Sequence, residues 1–64
     1  MSVVIESLDA NEDGTLTGVL ERNGQRVQCD GIAWWDELLD AEMDALFDEW
    51  CTLAEIGEEG FVIL

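Results

Sequence analysis

The sequence predicts an α+β fold: a small three- to four-stranded, mainly antiparallel sheet with one long helix packed on one face. Three observations lead there. The first half is β-branched and alternates with period two, an Asn-Gly pair interrupts it, and after Trp35 the apolar spacing changes to that of a helix. Sixty-four residues leave room for a single domain, residues 1–64, and the 48% hydrophobic fraction is enough for a core despite a net charge of -14.

The first strand is predicted in Ser2 to Leu8, where Val3, Val4 and Ile5 stand together, and it ends in the turn-forming run Asp9-Ala10-Asn11-Glu12-Asp13-Gly14. Thr15 to Arg22 and Gln25 to Asp30 form the next two strands around Asn23-Gly24, a pair suited to the positive φ angles of a type I′ turn. A two-residue loop fixes the register. Arg22 then faces Gln25, Glu21 faces Arg26, Leu20 faces Val27 and Gly18 faces Cys29. Leu16, Leu20, Val27 and Cys29 fall on one face, and Glu21 with Arg26 should form a cross-strand ion pair on the other.

A helix is predicted from Asp36 to Ile56, either continuous or broken at Asp40, with Asp36 capping or opening it and Gly57 stopping it. Leu39, Met43, Leu46, Trp50 and Leu53 make its buried stripe, flanked by Trp35 and Phe47. After Gly60, the run Phe61-Val62-Ile63-Leu64 reads as a last strand, giving the order β-β-β-α-β.

The composition excludes several classes of function. Two basic residues, Arg22 and Arg26, face sixteen acidic ones, with no Lys and no His, so direct DNA or RNA binding and docking on anionic membranes are both disfavoured. General acid–base chemistry would fall to carboxylates or to Cys29 and Cys51, and the two cysteines have no spacing suited to zinc. The expectation is a non-enzymatic protein with no catalytic residues, no cofactor and no metal. No apolar run is long enough to span a bilayer and no basic leader precedes one, so the chain reads as soluble and cytoplasmic. In that compartment Cys29 and Cys51 read as reduced thiols.

Three constellations stand out. Asp9-x-Asn11-x-Asp13-Gly14 copies the start of an EF-hand loop, but Leu20 occupies the position of the bidentate Glu, which leaves an Asx-rich hairpin turn as the better reading. Trp34-Trp35 cannot both enter one core if the helix begins near Asp36. They cover sheet edges, or Trp34 anchors a protein interface. The third is an acidic row: on a continuous helix Glu37, Asp40, Asp44, Asp48 and Glu55 share about 80° of arc, with no Lys or Arg three or four residues away. Like charges at that spacing repel, so stability has been given up along this row. Four helical residues rise about 6 Å, close to the spacing of phosphates along a nucleic-acid strand. Carboxylates so placed can stand in for phosphates.

In length, acidity and layout the chain resembles the small phage-encoded anti-CRISPR proteins that act as DNA mimics on type I surveillance complexes, and it is similar in style to acidic anti-restriction proteins. The matching residues are the acidic row. The resemblance implies an inhibitor that blocks DNA recognition by occupying a basic surface of a Cas subunit in the host bacterial cytoplasm. Asp36, Glu37, Asp40, Asp44, Asp48, Glu55 and Trp34 would form the partner-binding surface. The alternative is an acidic accessory or structural protein of a halophile, whose carboxylates only hold hydration.

Overall fold

The computed structural model describes residues 3–33 and 42–64. Four strands and a helix follow in chain order: β1 (Val4–Ala10), β2 (Leu16–Arg22), β3 (Gln25–Ile32), α1 (Met43–Glu55) and β4 (Phe61–Ile63). The strands form one antiparallel sheet in the order β1-β2-β3-β4, with α1 on one face over the β3–β4 half. This is the α+β architecture expected from the sequence, with the fourth strand present.

The β2–β3 hairpin has the anticipated register, with Leu20 opposite Val27 and Gly18 opposite Cys29. Its cause is the turn: Asn23 and Gly24 both take positive φ, 54° and 84°, as a type I′ connection requires. Asp9 and Ala10, expected in the turn, extend β1 by pairing with Thr17 and Leu16, and in the shorter turn Asn11 N–H donates to the Thr15 carbonyl and the Thr15 amide and hydroxyl both donate to Asp13 Oδ1. These two donors hold the Asp13 carboxyl below its ordinary range.

The core lies between sheet and helix. Leu20 and Val27 are fully buried, and Phe47, Trp50 and Cys29 close over them, with Ile5, Leu8, Ile32, Met43, Ala54 and Phe61 around the edge. Gly18 lies directly against this packing. A Cβ there would come within 2.9 Å of Ile32 Cδ1 and 3.0 Å of Leu8 Cδ2, the mobile ends of two side chains, and would meet Trp50 Cη2 at an ordinary 3.6 Å. The Trp50 ring also meets Phe61 edge-on at 6.3 Å, tying the helix to β4.

Three local expectations are corrected. Glu42 has extended backbone angles and is the N-cap of α1, without a side-chain capping bond, so no continuous helix runs from Asp36, and neither Asp36 nor Asp40 caps the helix that packs on the sheet. The buried stripe is centred on Phe47 and Trp50 rather than running through Leu53, because the helix is rolled toward Phe47; Leu53 is only half-buried. Arg26 does not pair with Glu21 opposite it. β1 carries a bulge between Ile5 and Ser7, which leaves Glu6 as an extra residue, and its carboxylate takes Arg26 at 2.6 Å from across β2. Glu21 instead accepts the Gly24 amide at 2.7 Å, bracing the turn.

The helix ends as predicted at Gly57. Its φ of 80° allows a Schellman closure, in which Glu58 N–H donates to Leu53 C=O at 2.9 Å and Gly57 N–H to Ala54 C=O at 3.2 Å.

Three outcomes follow from this packing. Gly18→Ala makes only the mobile ends of Ile32 and Leu8 give way, and with the backbone entropy it recovers should change stability by less than about 1 kcal/mol in thermal or denaturant unfolding. Cys29, its thiol pushed up to about 11 by burial and then by Asp30, should react with iodoacetamide at pH 8 more slowly than half-buried Cys51. The unfolded chain releases that proton nearer the ordinary 9.0, so the stability owed to the neutral buried thiol is complete below pH 9.0 and falls as pH rises toward 11. A pH series of melting curves reads the decline.

Candidate functional site

The acidic row predicted on the helix is only partly assembled. Asp44 and Asp48 lie one turn apart on the flank of α1 beside Phe47, and Glu55 ends the helix, exposed. Asp36, Glu37, Asp40 and Trp34 lie outside the described residues. The helical phase that aligned Glu37 and Asp40 with Asp44 is not carried through Glu42, whose backbone is extended.

Nor is the row uncompensated. Arg22, on the helix-facing side at the end of β2, reaches up to α1. Its guanidinium lies 2.7 Å from Asp48 Oδ1 and 3.4 Å from Asp44 Oδ1, and sits 4.5 Å from the centre of the Phe47 ring. The Asp48 hydrogen bond, and after it Asp44, make the guanidinium hold its proton even more firmly than usual. Searching three and four positions along the helix could not find this partner, because it arrives from the sheet. The rolled helix and the ion pairs are one arrangement: turning Phe47 inward brings the Asp44–Asp48 flank over Arg22.

The two cations are therefore both engaged, on opposite faces of the sheet. Arg22 ties the helix to the sheet, and Arg26 ties β3 to β1 across β2 on the open face. Both flank the Asn23-Gly24 turn. Among the described acidic residues, Glu6, Asp44 and Asp48 hold an arginine and the others hold none.

The unbalanced charge collects at the other end of the sheet. β1 ends there at Ala10, β2 begins at Leu16, and β3 ends at Ile32, paired in that order. The connection from α1 to β4 is pinned beside them by the Asp30 N–H, which donates to the Gly60 carbonyl at 2.8 Å. The topology thus brings Asp9, Glu12, Asp13, Asp30, Glu58 and Glu59 to one end, all exposed. Asp9, Thr17 and Asp30 are register neighbours across β1, β2 and β3, with the Thr17 hydroxyl donating to Asp30 at 2.7 Å. Asp9 and Asp30 are consequently two strand spacings apart, about 10 Å. The C-terminus of α1, the negative end of its dipole, points the same way.

This acidic end was not singled out in the sequence, although the signals were present. The Asn23-Gly24 register fixes Asp30 opposite Thr17, and the Asp9–Gly14 turn then places three more acids beside it.

Among the described residues no group of three or more acidic or cysteine side chains is arranged to hold a metal ion. No described helix is long and apolar enough to cross a membrane. Comparison with protein-family models, with curated proteins and with solved structures returns no match.

Arg22→Ala should lower the melting temperature further than Arg26→Ala, since only Arg22 joins helix to sheet and covers Phe47. Arg22→Lys should recover little of the loss, because an ammonium cannot fork between two carboxylates while stacked on a ring. Equal melting temperatures for Arg22→Ala and the parent would remove Arg22 from its anchoring role.

Proposed function

We propose that the protein is a non-enzymatic inhibitor that presents carboxylates as phosphate substitutes to the basic surface of a nucleic-acid-binding protein. The observation that carries this reading is the segregation of charge. Both arginines are bonded at one end of the sheet, and six exposed carboxylates crowd the other with no cation bonded to them. A monomer gains nothing in stability from such crowding. A cationic partner gains complementarity, fast association and strong salt dependence from it.

The contact surface proposed from the structure is centred on Asp9, Glu12, Asp30, Glu58 and Glu59, with Glu55 at its margin. Asp44 and Asp48 remain exposed on the neighbouring flank, but they share one arginine and present less net charge than the sequence implied. The resemblance to anti-CRISPR proteins favours DNA recognition by a type I CRISPR-Cas complex as the target step, acting in the bacterial cytoplasm.

The variant for testing this reading is dictated by the hydrogen bonds. Asp9, Glu12, Glu58 and Glu59 make no side-chain hydrogen bond or ion pair among the described residues. Changing all four to their amides should leave the fold intact or firmer. In an ordered-addition assay, a type I complex saturated with the parent protein should no longer retain its cognate duplex, whereas DNA bound first should protect the complex. The tetra-amide variant should inhibit weakly and lose most of its salt dependence. Unaltered DNA binding by the saturated complex would refute DNA mimicry at that target.

A further inference from the structure

The two edges of the sheet are unlike. β1 is guarded in the usual way, by a bulge and by Glu6 and Asp9 along its length. β4 has neither device. The side chains of Phe61, Val62, Ile63 and Leu64 carry no charge, and Val62, Ile63 and Leu64 are exposed, as is Ile56 where the chain leaves the helix toward β4.

The register shows which main-chain groups this edge offers. Leu64 N–H donates to Arg26 C=O at 3.0 Å, and Asp30 N–H to Gly60 C=O at 2.8 Å, so the pairs 26–64 and 30–60 are hydrogen-bonded ones. In an antiparallel ladder such pairs recur every second residue, which makes Gln28–Val62 the pair between them. Ile63 and Phe61 then point their polar groups away from β3. Phe61 N–H is already given to Glu58 C=O at 3.3 Å. Ile63 N–H, Ile63 C=O and Phe61 C=O remain on the outer side, where no described strand lies.

We propose that the outer edge of β4 accepts an added β-strand from a cationic partner, an extended segment in which Lys or Arg alternates with apolar residues. The chemistry of the surroundings selects this occupant. An added strand takes its main-chain bonds from Ile63 and Phe61, its apolar side chains cover Ile63 and Ile56, and its basic ones reach Glu58 and Glu59 beside the strand. A second copy of the chain is the poorer occupant. It brings a net charge of -14 against -14, and its own β4 carries no cation. The proposal rests on the cationic-partner reading above and adds to it where and in what conformation the partner binds.

The test uses the whole protein and two capped peptides, a decapeptide alternating valine and lysine and a decalysine, followed by NMR amide exchange and titration. The valine–lysine peptide should slow exchange of the Ile63 amide, and decalysine should not. Ile63→Pro removes an N–H that β3 does not use, and should weaken the valine–lysine peptide about tenfold, the effect of losing one or two main-chain bonds. Should that variant fold poorly, Ile63 exchange in the parent protein decides alone. Equal binding by parent and variant, without protection of Ile63, would overturn strand addition while leaving the cationic-partner reading standing. Failure of both peptides to bind would overturn both.

Discussion

The structure depends on the seating of Phe47 and Trp50 against Leu20 and Val27. A chain with fourteen uncompensated charges is pushed apart by its own field, and in a domain of 64 residues the opposing apolar burial is small. Phe47 is 1% exposed and Trp50 5%, so the two aromatic side chains of α1 supply much of what the helix can bury. The sheet receives them because the type I′ turn sets Leu20 beside Val27, and Gly18 lies within van der Waals reach of the Trp50 ring.

Arg22 makes that seating compatible with the acidity. Its guanidinium lies on the Phe47 ring and holds the two carboxylates on either side of it in sequence, so the aromatic anchor and the local charge repulsion are managed by one side chain. Arg26 does the equivalent on the open face, drawing in Glu6 across β2, the strand that carries Val19, buried although it lies opposite the helix. With both cations so used near the hairpin turn, the far end of the sheet is left entirely acidic. Charge segregation and core stability thus have a common origin in where the only two basic residues fall in the sequence.

Local signals carried most of the fold. The Asn23-Gly24 pair gave the hairpin register residue by residue, Gly57 marked the helix end, and the apolar run after Gly60 became a strand. What could not be read were the non-local choices. The roll of α1 is set from across the core, where Arg22 meets Asp44, Asp48 and the Phe47 ring. Arg26 chose Glu6 over Glu21 because of a bulge two strands away. The acidic row looked unpaired because helical spacing was the only neighbourhood visible, whereas Arg22 is separated from Asp48 by 26 positions. The acidic end was in principle legible, since it needs only the two hairpin registers, but it is a property of the sheet and not of any one segment.

Apolar seating and two arginines keep this domain folded, and the function proposed above has the remaining carboxylates facing a partner rather than brine. Thermal unfolding followed by circular dichroism at about 0.1 M and at 2 M sodium chloride tests this most directly, since a Debye length of about 10 Å at the lower salt already screens most repulsion between exposed charges. The domain should be folded and melt cooperatively at the lower concentration, with a modest rise in melting temperature at the higher one. A chain unfolded at 0.1 M that folds only in molar salt would contradict the account and make the carboxylates a halophilic hydration layer.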